Sequence, residues 1–366
     1  MPLDPVFAER LRVHRRYLAD KAITEMRARL ATLLPFGRVA FPAAAVRPTG
    51  PAVAEPLSEP SRAPLGPRAR ARARNRAAAV AWDRKELKTV GTRGPGIPIT
   101  EHVVDVDGFP AVRVRIYHPR EPDGHLVPGC LALYGGAFRI GGIDYPSTDA
   151  GYRRRAADSG VAIVAVDYAL APEHKFPTQI EQAHAALVWL FAHAASFGIN
   201  RDRIGIMGTS AGGNIAAAVT LLNRDRSALP LRLQVLEVPV TDLTGAHIDL
   251  AATRALGIPS FLARRELRSV VRTYLRKARD ARTPYASPLL ADSHEGLPPA
   301  VVLTAEYDPL RADGAAYAAA LRAAGVEASA VQYLGVTHDT PMFTGVLPAA
   351  RRWHSDIVTA LRSLHA

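Results

Sequence analysis

The sequence predicts an α/β protein, a mostly parallel sheet with helices on both faces. Three observations carry this. From about residue 100 onward, short apolar strand candidates alternate with segments of helical spacing, the pattern of a sheet covered on both sides. Stretches such as Val161–Val166 are continuous apolar runs, as strands buried on both faces are. And 366 residues with 48% hydrophobic content can bury a large core.

In chain order, Asp4-Pro5 is a helix start, an N-cap acceptor followed by proline at the first helical position. Phe7, Leu11, Leu18, Ala22, Met26, Leu30 and Leu33 then recur at threes and fours or their sums, predicting a long helix with one apolar face. Pro35 and Gly37 close it. Residues 35–67 hold eight prolines without an apolar period and read as a linker. Arg68–Arg76 then places five arginines in nine residues. Its plainer reading is a solvated linker or the start of an Ala/Arg helix running to Trp82. Its functional reading is a basic arm for nucleic acid or an anionic membrane. No recognition motif or stacking aromatics accompany it, so no specific nucleic-acid partner is expected.

Glu101–Asp107 and Ala111–Tyr117 alternate apolar and polar residues around Asp107-Gly108, which predicts an antiparallel hairpin at one edge. Leu131–Tyr134, Val161–Tyr168, Arg203–Gly208, Leu231–Val238, Ala300–Thr304 and Ala328–Leu334 follow as strands. Ile180–Phe197, Ile215–Leu222, Asp313–Ala324 and Leu347–Leu364 read as helices. Thr244–Pro284 breaks the rhythm, helical and basic without a clear strand. An insertion there would cover the carboxyl edge of the sheet, where ligands bind in open α/β folds.

Composition excludes several classes. No apolar run approaches the ~20 residues a membrane span needs, so no membrane insertion is expected. The charged N-terminus has no apolar signal core, which reads as a soluble, cytoplasmic protein. The single cysteine, Cys130, excludes an intramolecular disulfide framework and a Cys-based zinc site. His102, His118, His125, His184, His193 and His294 show no metal-ligand pattern. The net charge of +12 is uneven: residues 1–89 hold 18 Lys and Arg against 8 Asp and Glu, residues 90–366 hold 28 against 26. The body, at +2, gives no reason to expect an anionic substrate.

The chemistry lies at strand ends. Gly208-Thr209-Ser210-Ala211-Gly212 fits Gly-x-Ser-x-Gly between a predicted strand and a predicted helix. Small residues allow the sharp turn that lifts a serine hydroxyl over the sheet edge, with the new helix's N-terminus facing any developing negative charge. A serine needs a base, and the partners should follow in the order Ser, acid, His. His338, in GVTHDT, and Asp308, in AEYDPLRADG, each follow a predicted strand in that order. Glu306 is the rival acid, and Asp339 adjoins His338 too closely to orient it. A tetrahedral oxyanion needs N–H donors aimed at it. The candidates are Gly136 and Ala137 of Tyr134-Gly135-Gly136-Ala137-Phe138, with Ala211. Tyr134, Gly135, Phe138 and Thr209 are candidate bracing or pocket residues. Asp167 and Glu173 are expected to fix a loop beside this turn by accepting backbone hydrogen bonds, and Glu237, before Pro239 at the end of a predicted strand, is expected to be a partly buried carboxylate near the site.

YGGAF, DYALAPEHKFP at 167–177, GTSAGG, AEYDPLRADG and GVTHD together resemble the hormone-sensitive-lipase-like, family IV esterases of the α/β-hydrolase fold, over roughly residues 90–366. The resemblance implies an eight-stranded, mostly parallel sheet flanked by helices. It implies a helical cap drawn from residues 1–89 and an inserted segment at 243–285. It implies a serine carboxylesterase acting on short- to medium-chain acyl esters through Ser210, His338 and Asp308, without metal or cofactor, and a homodimer, for which an edge strand such as Ala328–Leu334 is available. An amidase, peptidase or lipase could use the same triad. A non-catalytic small-molecule-binding protein on this scaffold is the other class, and the presence of His338 argues against it. Two positions depart from the family's His-Gly-Gly-Gly, Tyr134 for histidine and Ala137 for glycine. They bear on loop geometry, and so on rate and acyl preference.

Overall fold

The computed structural model describes residues 1–13, 66–121 and 124–366. Eight strands form one sheet: β1 (Ile99–Val106), β2 (Phe109–Tyr117), β3 (Val127–Leu133), β4 (Ala162–Asp167), β5 (Ile199–Thr209), β6 (Leu231–Glu237), β7 (Ala300–Tyr307) and β8 (Ala328–Thr337). Their order is β1-β2-β4-β3-β5-β6-β7-β8. The hairpin β1–β2 and the β2–β4 pair are antiparallel, and every pair from β4 to β8 is parallel. β8 forms the far edge.

The helices are α1 (Pro67–Thr89), α2 (Pro146–Ser159), α3 (Thr178–His193), α4 (Ala211–Arg226), α5 (Leu250–Ala255), α6 (Ser260–Tyr274), α7 (Arg311–Ala323) and α8 (Pro348–Arg362). Among the described residues none is long and apolar enough to cross a membrane. The core lies along β3, β4 and β5, whose central residues are buried, and against α4, which is buried from Ala211 to Asn223. α4 can lie this close because Gly212 faces the ends of the neighbouring strands. A Cβ there would stand 2.2 Å from the Leu133 carbonyl oxygen and 2.4 Å from that of Tyr134.

Residues 5–13 are helical from Pro5, as the capping pattern predicts. The rest of the apolar-faced helix to Leu33, and most of the proline-rich stretch, lie outside the described residues. Met1–Asp4 group with Asn75–Ala366 in one compact unit, and Pro5–Arg74 form another. In α1, Asp83 and Glu86 are buried. The Asp83 carboxylate accepts the Ser147 N–H at 2.9 Å and also the Ser147 hydroxyl, serving as an N-terminal cap that α2 lacks in its own sequence. Arg68–Arg76 is helical, as its plainer reading expects, within an α1 that continues past Trp82 to Thr89. Residues 243–285 contain α5, α6 and a short 3-10 turn at Ala278–Arg282, without a strand.

Candidate active site

β5 ends at Thr209 and α4 begins at Ala211. Ser210 between them has φ 55° and ψ −116°, a strained turn that only surrounding contacts sustain. Those contacts come from β6: the Ser210 N–H donates to the Glu237 carbonyl at 2.8 Å. Gly208 makes the turn possible, since a Cβ there would stand 2.1 Å from the Gly212 carbonyl oxygen.

The loops after β7 and β8 bring the expected partners to this serine. His338 Nε2 lies 3.0 Å from Ser210 Oγ, and His338 Nδ1 lies 2.8 Å from Asp308 Oδ2. The other Asp308 oxygen accepts the Leu310 N–H at 2.9 Å, and the carboxylate is fully buried. Burial on its own would lower the His338 imidazole. The charge of Asp308, its hydrogen bond and the charge of Asp339 outweigh that and push the ring up to about 9. The side chain is 32% exposed, so water moderates the upward shift. The rival acid Glu306 is committed elsewhere, to the Met1 amino group at 2.7 Å and the Gly335 N–H at 2.6 Å.

Beside Ser210 runs the loop 134–141. Gly136, Ala137 and Phe138 have φ 132°, 52° and 61°. At Gly136 a Cβ would meet the Ile140 carbonyl oxygen at 2.1 Å, so only glycine fits. Ala137 and Phe138 hold the left-handed region with a Cβ, at about 1–2 kcal/mol each. The Gly136 and Ala137 N–H groups make no hydrogen bond to another described residue. Ala211, first residue of α4, has an N–H with no intrahelical partner. Gly135 lies against the elbow, where a Cβ would stand 3.1 Å from the Thr209 carbonyl oxygen.

Tyr134 braces this loop in a way its sequence position does not reveal. Its hydroxyl donates to the Tyr168 carbonyl at 2.8 Å, and the Tyr168 hydroxyl donates to the Tyr134 carbonyl at 2.7 Å. The rings stack with centroids 4.2 Å apart. Tyr134→Phe keeps the stack and leaves a buried carbonyl short of a donor. It is expected to cost about 1–2 kcal/mol in denaturant unfolding. An unchanged midpoint would count against the clasp. Phe138 is fully buried and stacks on Tyr274, the last residue of α6, at 3.7 Å. It therefore anchors the loop.

Asp167 does accept a backbone N–H, that of Ile143 at 3.4 Å, and also binds the Arg113 guanidinium. Glu173 accepts from the Arg76 side chain at 2.7 Å. Glu237 is 1% exposed. Its carboxylate receives Arg155 at 2.8 Å, the Trp353 indole N–H at 2.8 Å and the Thr209 hydroxyl at 2.9 Å. Sequence reasoning missed Arg155 and Trp353, which lie 82 and 116 residues from Glu237. Cys130 is fully buried. Among the described residues no group of three or more His, Cys, Asp or Glu side chains could hold a metal.

A cavity of about 440 Å³ opens onto Ser210 and His338. Its walls include Trp82 and Leu87 of α1, Tyr152 of α2, Met342 and Trp353. A serine, an imidazole and a buried carboxylate in hydrogen-bonded series, beside free N–H donors and a largely apolar cavity, define a nucleophilic acyl-transfer site.

Comparison with known proteins places the chain. The family model for the alpha/beta hydrolase fold matches residues 130–342. The carboxylic ester hydrolase LipN of Mycobacterium tuberculosis (strain ATCC 25618 / H37Rv) is 36% identical over 296 residues, covering 78% of this chain and 76% of its own. An arylesterase of Saccharolobus solfataricus is 37% identical over 231 residues, 62% of this chain and 71% of its own. The solved structure of the metagenomic carboxylesterase EstE1 superposes with a TM-score of 0.72 at 35% identity, over 80% of this chain and 97% of that one. The chain belongs to the alpha/beta hydrolase fold family. Within it, the chain falls in the hormone-sensitive-lipase-like group that its motifs resemble.

Proposed function

We propose that this protein is a serine carboxylesterase that hydrolyses short- to medium-chain acyl esters through an acyl-enzyme on Ser210. The observation that carries the reading is the continuous series from Ser210 Oγ through His338 to Asp308, at 3.0 and 2.8 Å. The names of the relatives, among them an ethyl acetate hydrolase of Pseudomonas putida at 34% identity, point the same way.

In this mechanism Ser210 Oγ attacks the ester carbonyl while His338 Nε2 takes its proton. Asp308 fixes the ring so that Nδ1 carries a hydrogen, and stabilises the imidazolium that forms. The carbonyl oxygen becomes an oxyanion facing the N–H groups of Gly136, Ala137 and Ala211. The C–O bond to the alcohol breaks, and His338 returns the proton to the departing oxygen. Water, deprotonated by the same imidazole, then attacks the acyl carbon; the C–O bond to Ser210 breaks, His338 returns the proton to Ser210 Oγ, and the acid leaves. The cavity of about 440 Å³ lies in the range of small-molecule pockets.

A p-nitrophenyl ester series tests the reading. Hydrolysis is expected to be fastest on short to medium chains, and a protein inactive across the series would contradict it. The pH profile tests the base. His338 must be neutral to act, so kcat/KM should rise with pH, its midpoint displaced from 6.5 toward about 9. Asp308→Asn removes the charge that raises the ring and leaves the burial that lowers it, so the midpoint should move down. A midpoint unmoved by that substitution would exclude His338 as the titrating base.

A further inference from the structure

We propose that Arg76 is a positioning residue for the oxyanion loop, holding Ala137 and Phe138 in the left-handed conformation that aims the Gly136 and Ala137 N–H groups. This rests on the reading of the protein as an ester hydrolase.

Arg76 is the last arginine of the basic run. Its Nε donates to the Arg139 carbonyl at 3.0 Å, and its Nη2 donates to the Ala171 carbonyl at 3.0 Å and to Glu173 Oε2 at 2.7 Å. The Ala171 N–H in turn donates to the Phe138 carbonyl at 2.8 Å. Two consecutive peptide groups of the loop, those of Phe138 and Arg139, are therefore tied to residue 171, one directly and one through Arg76. From another side the Arg139 side chain reaches Ser269 at 3.3 Å and Glu266, both on α6. Arg76 is a bridge made by one planar fork across two carbonyls and a carboxylate. A lysine, with a point charge, cannot span all three.

The loop needs such a bridge because of Ala137. At φ 52° this residue occupies a region that glycine visits freely and alanine does not. Without outside contacts the loop would spend more of its time in other conformations, with the donors misdirected. Glu173 on the far side anchors the guanidinium, which accounts for a charged pair beside an otherwise backbone-made turn.

The test compares the parent, Arg76→Ala and Arg76→Lys, each also in an Ala137→Gly background. It measures ester kinetics, inhibition by a trifluoromethyl ketone, and thermal unfolding. The ketone forms a tetrahedral adduct on the serine and so reports the oxyanion donors. Arg76→Ala is expected to lower kcat about tenfold, less than deletion of a donor would. KM should stay within about twofold, and the ketone's inhibition constant should rise by the factor that kcat/KM falls. Arg76→Lys should recover only a minor part. In the Ala137→Gly background the loss should shrink to about threefold, because glycine populates the loop conformation unaided. Unchanged kcat with a lowered melting temperature would make Arg76 a mere staple for α1 and overturn the proposal. So would ketone affinity that fails to follow kcat/KM, or a loss undiminished in the glycine background. A parent that neither hydrolyses esters nor binds the ketone would overturn the hydrolase reading itself, and the Arg76 role with it.

Discussion

Ser210→Ala is expected to lower kcat on p-nitrophenyl esters by about 10⁴-fold or more, leaving only what the oxyanion donors and substrate binding supply. The size follows from the chain of contacts. Ser210 Oγ is the atom that His338 Nε2 meets at 3.0 Å. With the hydroxyl gone the base has no proton to take and no acyl-enzyme can form. The fold should survive, because the elbow is held by backbone contacts: Ser210 N–H to the Glu237 carbonyl and Asn214 N–H to the Ser210 carbonyl. Purified Ser210→Ala should therefore melt close to the parent while its hydrolysis collapses. Retained activity would remove Ser210 from the mechanism.

The second large effect is on stability. Arg155→Met is expected to destabilise the protein by about 3–5 kcal/mol, measured by denaturant unfolding. Glu237 is 1% exposed, and Arg155 is its only cationic partner among the ion pairs of the described residues. Removing the guanidinium leaves a buried carboxylate with only the Trp353 indole and the Thr209 hydroxyl. Pairing the change with Glu237→Gln removes both charges, so the double variant should recover part of the loss. Additive losses would show that the two side chains do not stabilise each other. Thr209 and Ser210 both bond to Glu237, so the single variant should also lose rate.

Much of this molecule is legible from its residues, and the limits have physical causes. The elbow, the acid loop and the histidine loop are each local signals, a few adjacent residues at a strand end. The strands of the sheet carry runs or alternations of apolar residues that need no partner to be seen. α2 is not visible in the same way. Its sequence PSTDAGYRRRAADS buries Tyr152, Arg155 and Ala156 together, so it shows no clean apolar stripe. Its N-terminal cap comes from Asp83 on another helix. The reciprocal hydrogen bonds of Tyr134 and Tyr168 join two recognisable motifs 34 residues apart, and neither motif names its partner. In the sequence Arg76 is one of five equivalent arginines. Only the fold shows that its fork meets Arg139, Ala171 and Glu173.

The central claim is that one serine, activated by His338, performs ester hydrolysis. It is tested most directly by treating the protein with a fluorophosphonate, measuring intact mass and residual esterase activity together, and locating the adduct by peptide fragmentation. The account predicts one adduct per chain, carried on Ser210, with activity falling in proportion to labelling and labelling much slower in His338→Ala. An active protein that takes up no label, or one fully labelled at Ser210 that still hydrolyses esters, would contradict it.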